Sequence, residues 1–279
     1  MVQEGGPESR QGDGARPSGL IVTAMTLLRF RFRAISAAFF LVLSLGAPVS
    51  APRAAETVGA ECAATPELIE DDPKFPKLAQ RLKDKEPITI VAIGGSSTVG
   101  TAAGSLDAAY PHQLELILRS RHPDESITVL NRGAVRETAQ QMEARLERDV
   151  IAEKPNLVIW EVGITDAVRG SELDAFAAAL QSGIARLQAA GIEVMLVDMQ
   201  YSPDTETVTN FAPYLDAVHQ AGDIADAYVF QRYAIMKHWS EVGSFKLSGV
   251  PQEERPKLAT RVYACLGERI ADAIAYATR

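Results

Sequence analysis

From residue 87 onward the chain alternates short apolar runs with longer amphipathic stretches, and this alternation constrains the fold more than any other feature. The apolar runs are 88–93, 127–131, 157–162, 193–198 and 227–230. They are rich in β-branched and aliphatic residues, are too short for helices, and are bounded by turn-forming residues, so each is a predicted strand. The intervening stretches have helical spacing over about 110–121, 139–153, 173–190 and 210–221, and helices over 232–241 and 257–278 follow the fifth run. A short helix is predicted at 77–84, and Gly191 is a helix stop. Strands that are apolar throughout are covered on both faces. The expectation is therefore an α/β protein with a parallel sheet and helices on both faces.

The N-terminus reads differently. Residues 1–24 are rich in Gly, Pro and Arg and have no periodicity. Arg29, Arg31 and Arg33 then precede an apolar run, 34–47, followed by small residues up to Ala55. A basic region, an apolar core of about 7–15 residues and small residues describe a secretory signal. The run is short against the roughly 20 residues of a membrane span. Residues 25–55 are thus read as a signal peptide, with Met25 as a candidate start and an uncleaved anchor as the alternative. The expected organisation is an N-terminal extension with signal peptide over 1–55, a lead-in segment over 56–86 and one domain over 87–279. The expected location is periplasmic or secreted, with no stable membrane span after cleavage. The two cysteines, Cys62 and Cys265, would then meet an oxidising compartment and could pair; two unrelated buried thiols are the alternative. The formal charge of −8, with no long basic run, argues against a nucleic-acid partner. The sequence does not define an oligomeric state.

Chemistry in an open parallel sheet gathers just after the strands. Four texts stand there: Gly94-Gly-Ser-Ser97, Asn131-Arg-Gly-Ala-Val-Arg-Glu-Thr138, Gly163-Ile-Thr-Asp166 and Asp198-Met-Gln-Tyr-Ser-Pro203. The ordered set resembles the SGNH, or GDSL-type, hydrolases. That resemblance spans about 88–275 and implies a three-layer flavodoxin-like α/β fold and a serine esterase or acyl hydrolase. Its chemistry needs a first-block Ser nucleophile and a late Asp-x-x-His pair as acid and base. It also needs an oxyanion hole of backbone amides and a third-block Asn. The implied partner is a small-molecule or glycan acyl ester.

Carried over residue by residue, Ser96 takes the nucleophile position, with a turn hydroxyl capping a helix as the alternative. Asn131 and Gly133 fit the second block, but Arg136 stands where its last Gly is expected. Gly there permits close approach and unusual backbone angles; an arginine would crowd the pocket, bind an anionic group or point to solvent. Thr165 replaces the oxyanion Asn, and losing one such donor costs about 3 kcal/mol of barrier. Glu254-Arg-Pro-Lys257 lies where Asp-x-x-His is expected, so Glu254 and Lys257 are the candidates for acid and base. A lysine with an unperturbed pKa of about 10.4 is a poor base unless strongly desolvated. None of His112, His122, His219 and His238 has an Asp three positions before it; His238 is the candidate for a displaced base. No cluster has metal-ligand spacing and no nucleotide-type glycine loop is present, so neither metal nor cofactor is expected. Two functions stand: an exported esterase working through Ser96, or an inactive protein of the same fold that binds a carbohydrate or acyl ligand.

Overall fold

Five strands, β1 (Ile88–Gly94), β2 (Ile127–Gly133), β3 (Leu157–Glu161), β4 (Glu193–Val197) and β5 (Tyr228–Phe230), form one parallel sheet in the order β2-β1-β3-β4-β5. This is the flavodoxin-like order. The computed structural model describes residues 59–70 and 74–279. The signal peptide and N-terminal extension read from residues 1–55 lie outside the described residues.

The helices are α1 (Pro76–Asp84), α2 (Ser96–Val99), α3 (Tyr110–Arg121), α4 (Ala139–Ala144), α5 (Leu146–Asp149), α6 (Ile164–Arg169), α7 (Leu173–Ala189), α8 (Pro203–Glu206), α9 (Ala212–Ala225), α10 (Arg232–Glu241) and α11 (Arg255–Ala277). Alternate residues of each strand go to opposite faces. Ile88, Ile90 and Ala92 of β1 pack with Leu78 of α1, Leu114 of α3, Ile235 of α10 and Leu266 of α11. Val91 and Ile93 pack with Met142 of α4, Leu146 of α5, Ile184 of α7 and Val218 of α9. The predicted layers are therefore present, with helices on both faces.

The single helix expected over 139–153 is broken. Arg145 has φ −106° and ψ 3°, which ends α4 and starts α5. Its guanidinium binds Asp149 at 3.0 Å, four residues on, and reaches back to Glu137 at 2.7 Å and the Arg132 carbonyl at 2.8 Å, which ties the break to β2 and the turn after it. The short helices α2, α6 and α8 were not expected; each follows a strand and occupies what the sequence suggests is a loop.

The segment before β1 is tied to the sheet domain. Cys62 and Cys265 form a disulfide across a sequence separation of 203 residues. Phe75 and Leu78 lie in the core, and Glu193 accepts the Lys77 and Leu78 amides at 2.8 and 3.0 Å.

Candidate active site at the carboxyl edge of the sheet

The chain order reverses between β1 and β3, and an open α/β sheet places its site there, beyond the carboxyl ends of the strands. In this position lies a cavity of about 370 Å³ lined by Ser96, Ser97, Thr101, Ala102, Arg136, Ile164, Thr165, Val168, Arg169, Gln200 and Tyr263. Three of the five residues expected from sequence, Ser96, Arg136 and Thr165, meet here. Each follows a different strand.

Glycines hold the Ser96 loop close to its neighbours. A Cβ on Gly94 would stand 2.1 Å from Thr98 Oγ1, and one on Gly133 would stand 2.8 Å from the Val99 nitrogen. Asn131 donates to the Thr98 carbonyl at 2.6 Å and accepts from the Gly133 amide at 2.9 Å, binding the second-block turn to the first. Ser96 is half-buried at the start of α2, and its hydroxyl makes no hydrogen bond among the described residues. Thr165 is half-buried too. Its neighbour Asp166 is structural: the carboxylate is buried and accepts the Ala139 amide at 3.0 Å. Burial pushes that carboxyl up, against the pull of the Ala139 amide. Arg136 has φ +62°, in the left-handed region that favours glycine. Gly163, before α6, has φ +99° and fits under Met199.

A charged network that sequence reasoning missed reaches the cavity wall at Ser97 and Gln200. Arg232 Nη1 donates to Glu161 Oε1 at 2.7 Å, and the two residues are 1% and 2% exposed. Arg232 Nη2 donates to Ser97 Oγ at 3.1 Å, and Ser97 donates to Gln200 Oε1 at 3.2 Å. Thr98 donates to the other Glu161 oxygen at 2.5 Å. Burial pushes the Tyr263 phenol up, while the Arg232 charge and a Ser97 hydrogen bond pull it down. The second serine of the loop is therefore a fully engaged anchor, whereas the first has a free hydroxyl. The available signals were weak: Glu161 is a charge ending an apolar run, and Gln200 lies in the fourth block. Nothing local marks Arg232.

Residues 61–279 match the non-GDSL lipase-like family. The chain belongs to that family. An acetylxylan esterase from Geobacillus stearothermophilus is 36% identical over 70 residues, a quarter of this chain and about a third of that relative's length (25% and 32%). A solved acetyl xylan esterase from the same organism has a TM-score of 0.57 at 21% identity, over 69% of this chain and 97% of that one. A G-D-S-L family protein from Desulfitobacterium hafniense has a TM-score of 0.53 at 23% identity, over 66% and 98% of the two chains. The non-GDSL lipase-like chain is thus an esterase-like hydrolase by family resemblance, with the SGNH/GDSL fold.

This non-GDSL lipase-like protein does not bring the remaining two sequence candidates to Ser96. Glu254 precedes α11 and Lys257 lies in its first turn; both are exposed and neither lines the cavity. His238 does not line it either. An Asp–His hydrogen bond exists elsewhere: His219 Nε2 lies 3.1 Å from the buried Asp198 Oδ2, and Asp198 also accepts the Tyr233 amide at 2.7 Å. That hydrogen bond holds His219 above its usual range. His219, however, opens on a separate cavity of about 310 Å³ with Lys74, Asp223 and Gln231.

Proposed function

We propose that the Ser96 cavity takes the acyl ester of a small molecule or glycan and holds it without the turnover of a complete triad. The observation that carries this reading is the Ser96 hydroxyl, presented in a cavity and hydrogen-bonded to no base. Similarity to acetylxylan esterases supports an acylated carbohydrate as the ligand. In this reading Ser96 faces the acyl carbon, and the Thr165 hydroxyl is the side-chain donor for the acyl oxygen. Glu254 and Lys257 have no part in proton transfer. Without a neighbouring base the serine remains a neutral hydroxyl and a weak nucleophile. The members of a triad act as a unit, so a missing base removes most of the rate.

The signal-like N-terminus, over 25–55, and the disulfide support export to an oxidising compartment. The extension over 1–55 and the lead-in segment over 56–86 then precede the catalytic-type domain over 87–279. No helix of the described residues is long and apolar enough to cross a membrane.

The test is hydrolysis of p-nitrophenyl acetate by wild type and Ser96→Ala, beside calorimetric binding of an acetylated xylo-oligosaccharide. The expected result is wild-type turnover within about tenfold of the variant, with binding that a bulky Ser96→Trp change abolishes. A rate about 10³-fold above Ser96→Ala would instead establish the second reading, a working esterase, which family resemblance favours.

A further inference from the structure

Arginine pairing across the molecule is close to complete. Arg81, Arg119, Arg121, Arg132, Arg145, Arg148, Arg186, Arg232, Arg261 and Arg269 each have a carboxylate partner. Arg255 donates to the Val250 carbonyl, and Arg279 stacks on Tyr276. Among the described residues, Arg136 and Arg169 are the two arginines with no hydrogen bond, ion pair or ring contact, and of the two Arg169 acts by its charge alone on the buried Asp166 carboxyl. Both line the Ser96 cavity, which has no carboxylate in its wall. The chain carries 36 acidic and 28 basic residues, so a cation-only cavity runs against its overall charge.

The two arginines reach the cavity from different elements. Arg136 comes from the turn after β2, and Arg169 ends α6 after β3. Arg136 also stands at a positive φ outside any helix end, unlike Lys85, Lys154 and Asp226, which cap α1, a 3₁₀ turn and α9. A left-handed non-glycine residue costs about 1–2 kcal/mol. A guanidinium offers a rigid fork matched to carboxylate and phosphate oxygens. Thr101 and Thr165 add hydroxyls to the same wall.

We infer that the Ser96 cavity selects acyl esters bearing an oxyanion, a carboxylate or a phosphate, held between Arg136 and Arg169. The inference rests on the reading of the cavity as an acyl-ester site and supplies its substrate class.

The experiment measures binding of three probes of similar size to the folded chain: an acetylated oligogalacturonide, an acetylated sugar phosphate and a neutral acetylated xylo-oligosaccharide. The expected result is that at least one charged probe binds at least about tenfold tighter than the neutral one, and the tighter of the two identifies the oxyanion. Raising the salt from about 0.05 to 0.5 M narrows that margin, since the screening length between exposed charges falls from about 14 to about 4 Å. The double variant Arg136→Gly with Arg169→Gln binds all three probes alike while keeping its melting temperature; Arg136→Gln serves as the alternative if the glycine variant does not fold. Equal binding of all probes to wild type that Ser96→Trp abolishes overturns the charge inference and leaves the cavity reading intact. A charge preference that survives in the double variant also overturns it. Binding of no probe overturns both.

Discussion

Glu161 and Arg232 are buried as a pair that reaches the site through Ser97, and each charge depends on the other. Removing one partner of a buried pair leaves an uncompensated charge and costs about 3–5 kcal/mol. Arg232→Met is therefore expected to lower unfolding free energy by about that amount. Adding Glu161→Leu to it is expected to recover much of the loss, because the remaining charge goes too. Urea midpoints of the two variants check this; equal losses would show that the pair is not coupled. At this scale the sequence was half legible. That Ser96, Arg136 and Thr165 share one cavity could be anticipated because each lies a few residues beyond a strand, where the fold concentrates its chemistry. Arg232 could not, because its role is defined by Glu161, 71 residues away, and by Ser97, 135 residues away. The spacing that suggested Glu254 and Lys257 as acid and base could not show that their side chains stay in solvent.

The site depends on how closely β1, α2 and β2 approach at their carboxyl ends. Gly94 is the tightest point: an added Cβ would stand 2.1 Å from Thr98 Oγ1 and 2.8 Å from Glu161 Cβ. Gly94→Ala is expected to push α2 off the strand end, with an overpacking cost of about 1–3 kcal/mol. It should disturb ligand binding at Ser96 along with stability. Chemical denaturation and calorimetry of this one variant check both; a variant as stable and as tight-binding as wild type would show that the loop yields easily. Strands and long helices were legible because burial imposes a period on the sequence, as with Tyr110–Arg121 and Arg232–Glu241, whose bounds match expectation. The break at Arg145 was not legible, since 139–153 keeps helical spacing through it. The break coincides with hydrogen bonds from one guanidinium back to Glu137 and to the Arg132 carbonyl, 8 and 13 residues earlier.

Across the whole molecule, the disulfide joins the segment before the sheet to α11, the last helix, which itself packs on the same core as β1 and α3. Closing a loop of this length constrains the unfolded chain, and removing such a bond costs about 2–5 kcal/mol. Cys62→Ala with Cys265→Ala is expected to lose that amount, and reductant is expected to shift the wild-type urea midpoint but not the variant's. A midpoint indifferent to reductant would show that the bond contributes nothing. The pairing was within reach of the sequence only as one of two alternatives, because it depended on reading the N-terminus as an export signal. The architecture was more accessible, since five apolar runs and their crossovers leave few topologies.

The same bond has a consequence for the order of events during synthesis. Cys62 leaves the ribosome 203 residues ahead of Cys265. At about 5–20 residues per second, it waits about 10–40 s for its partner. Through that interval every strand of the sheet is made while the thiol remains unmatched, so the bond can close only after all five strands exist.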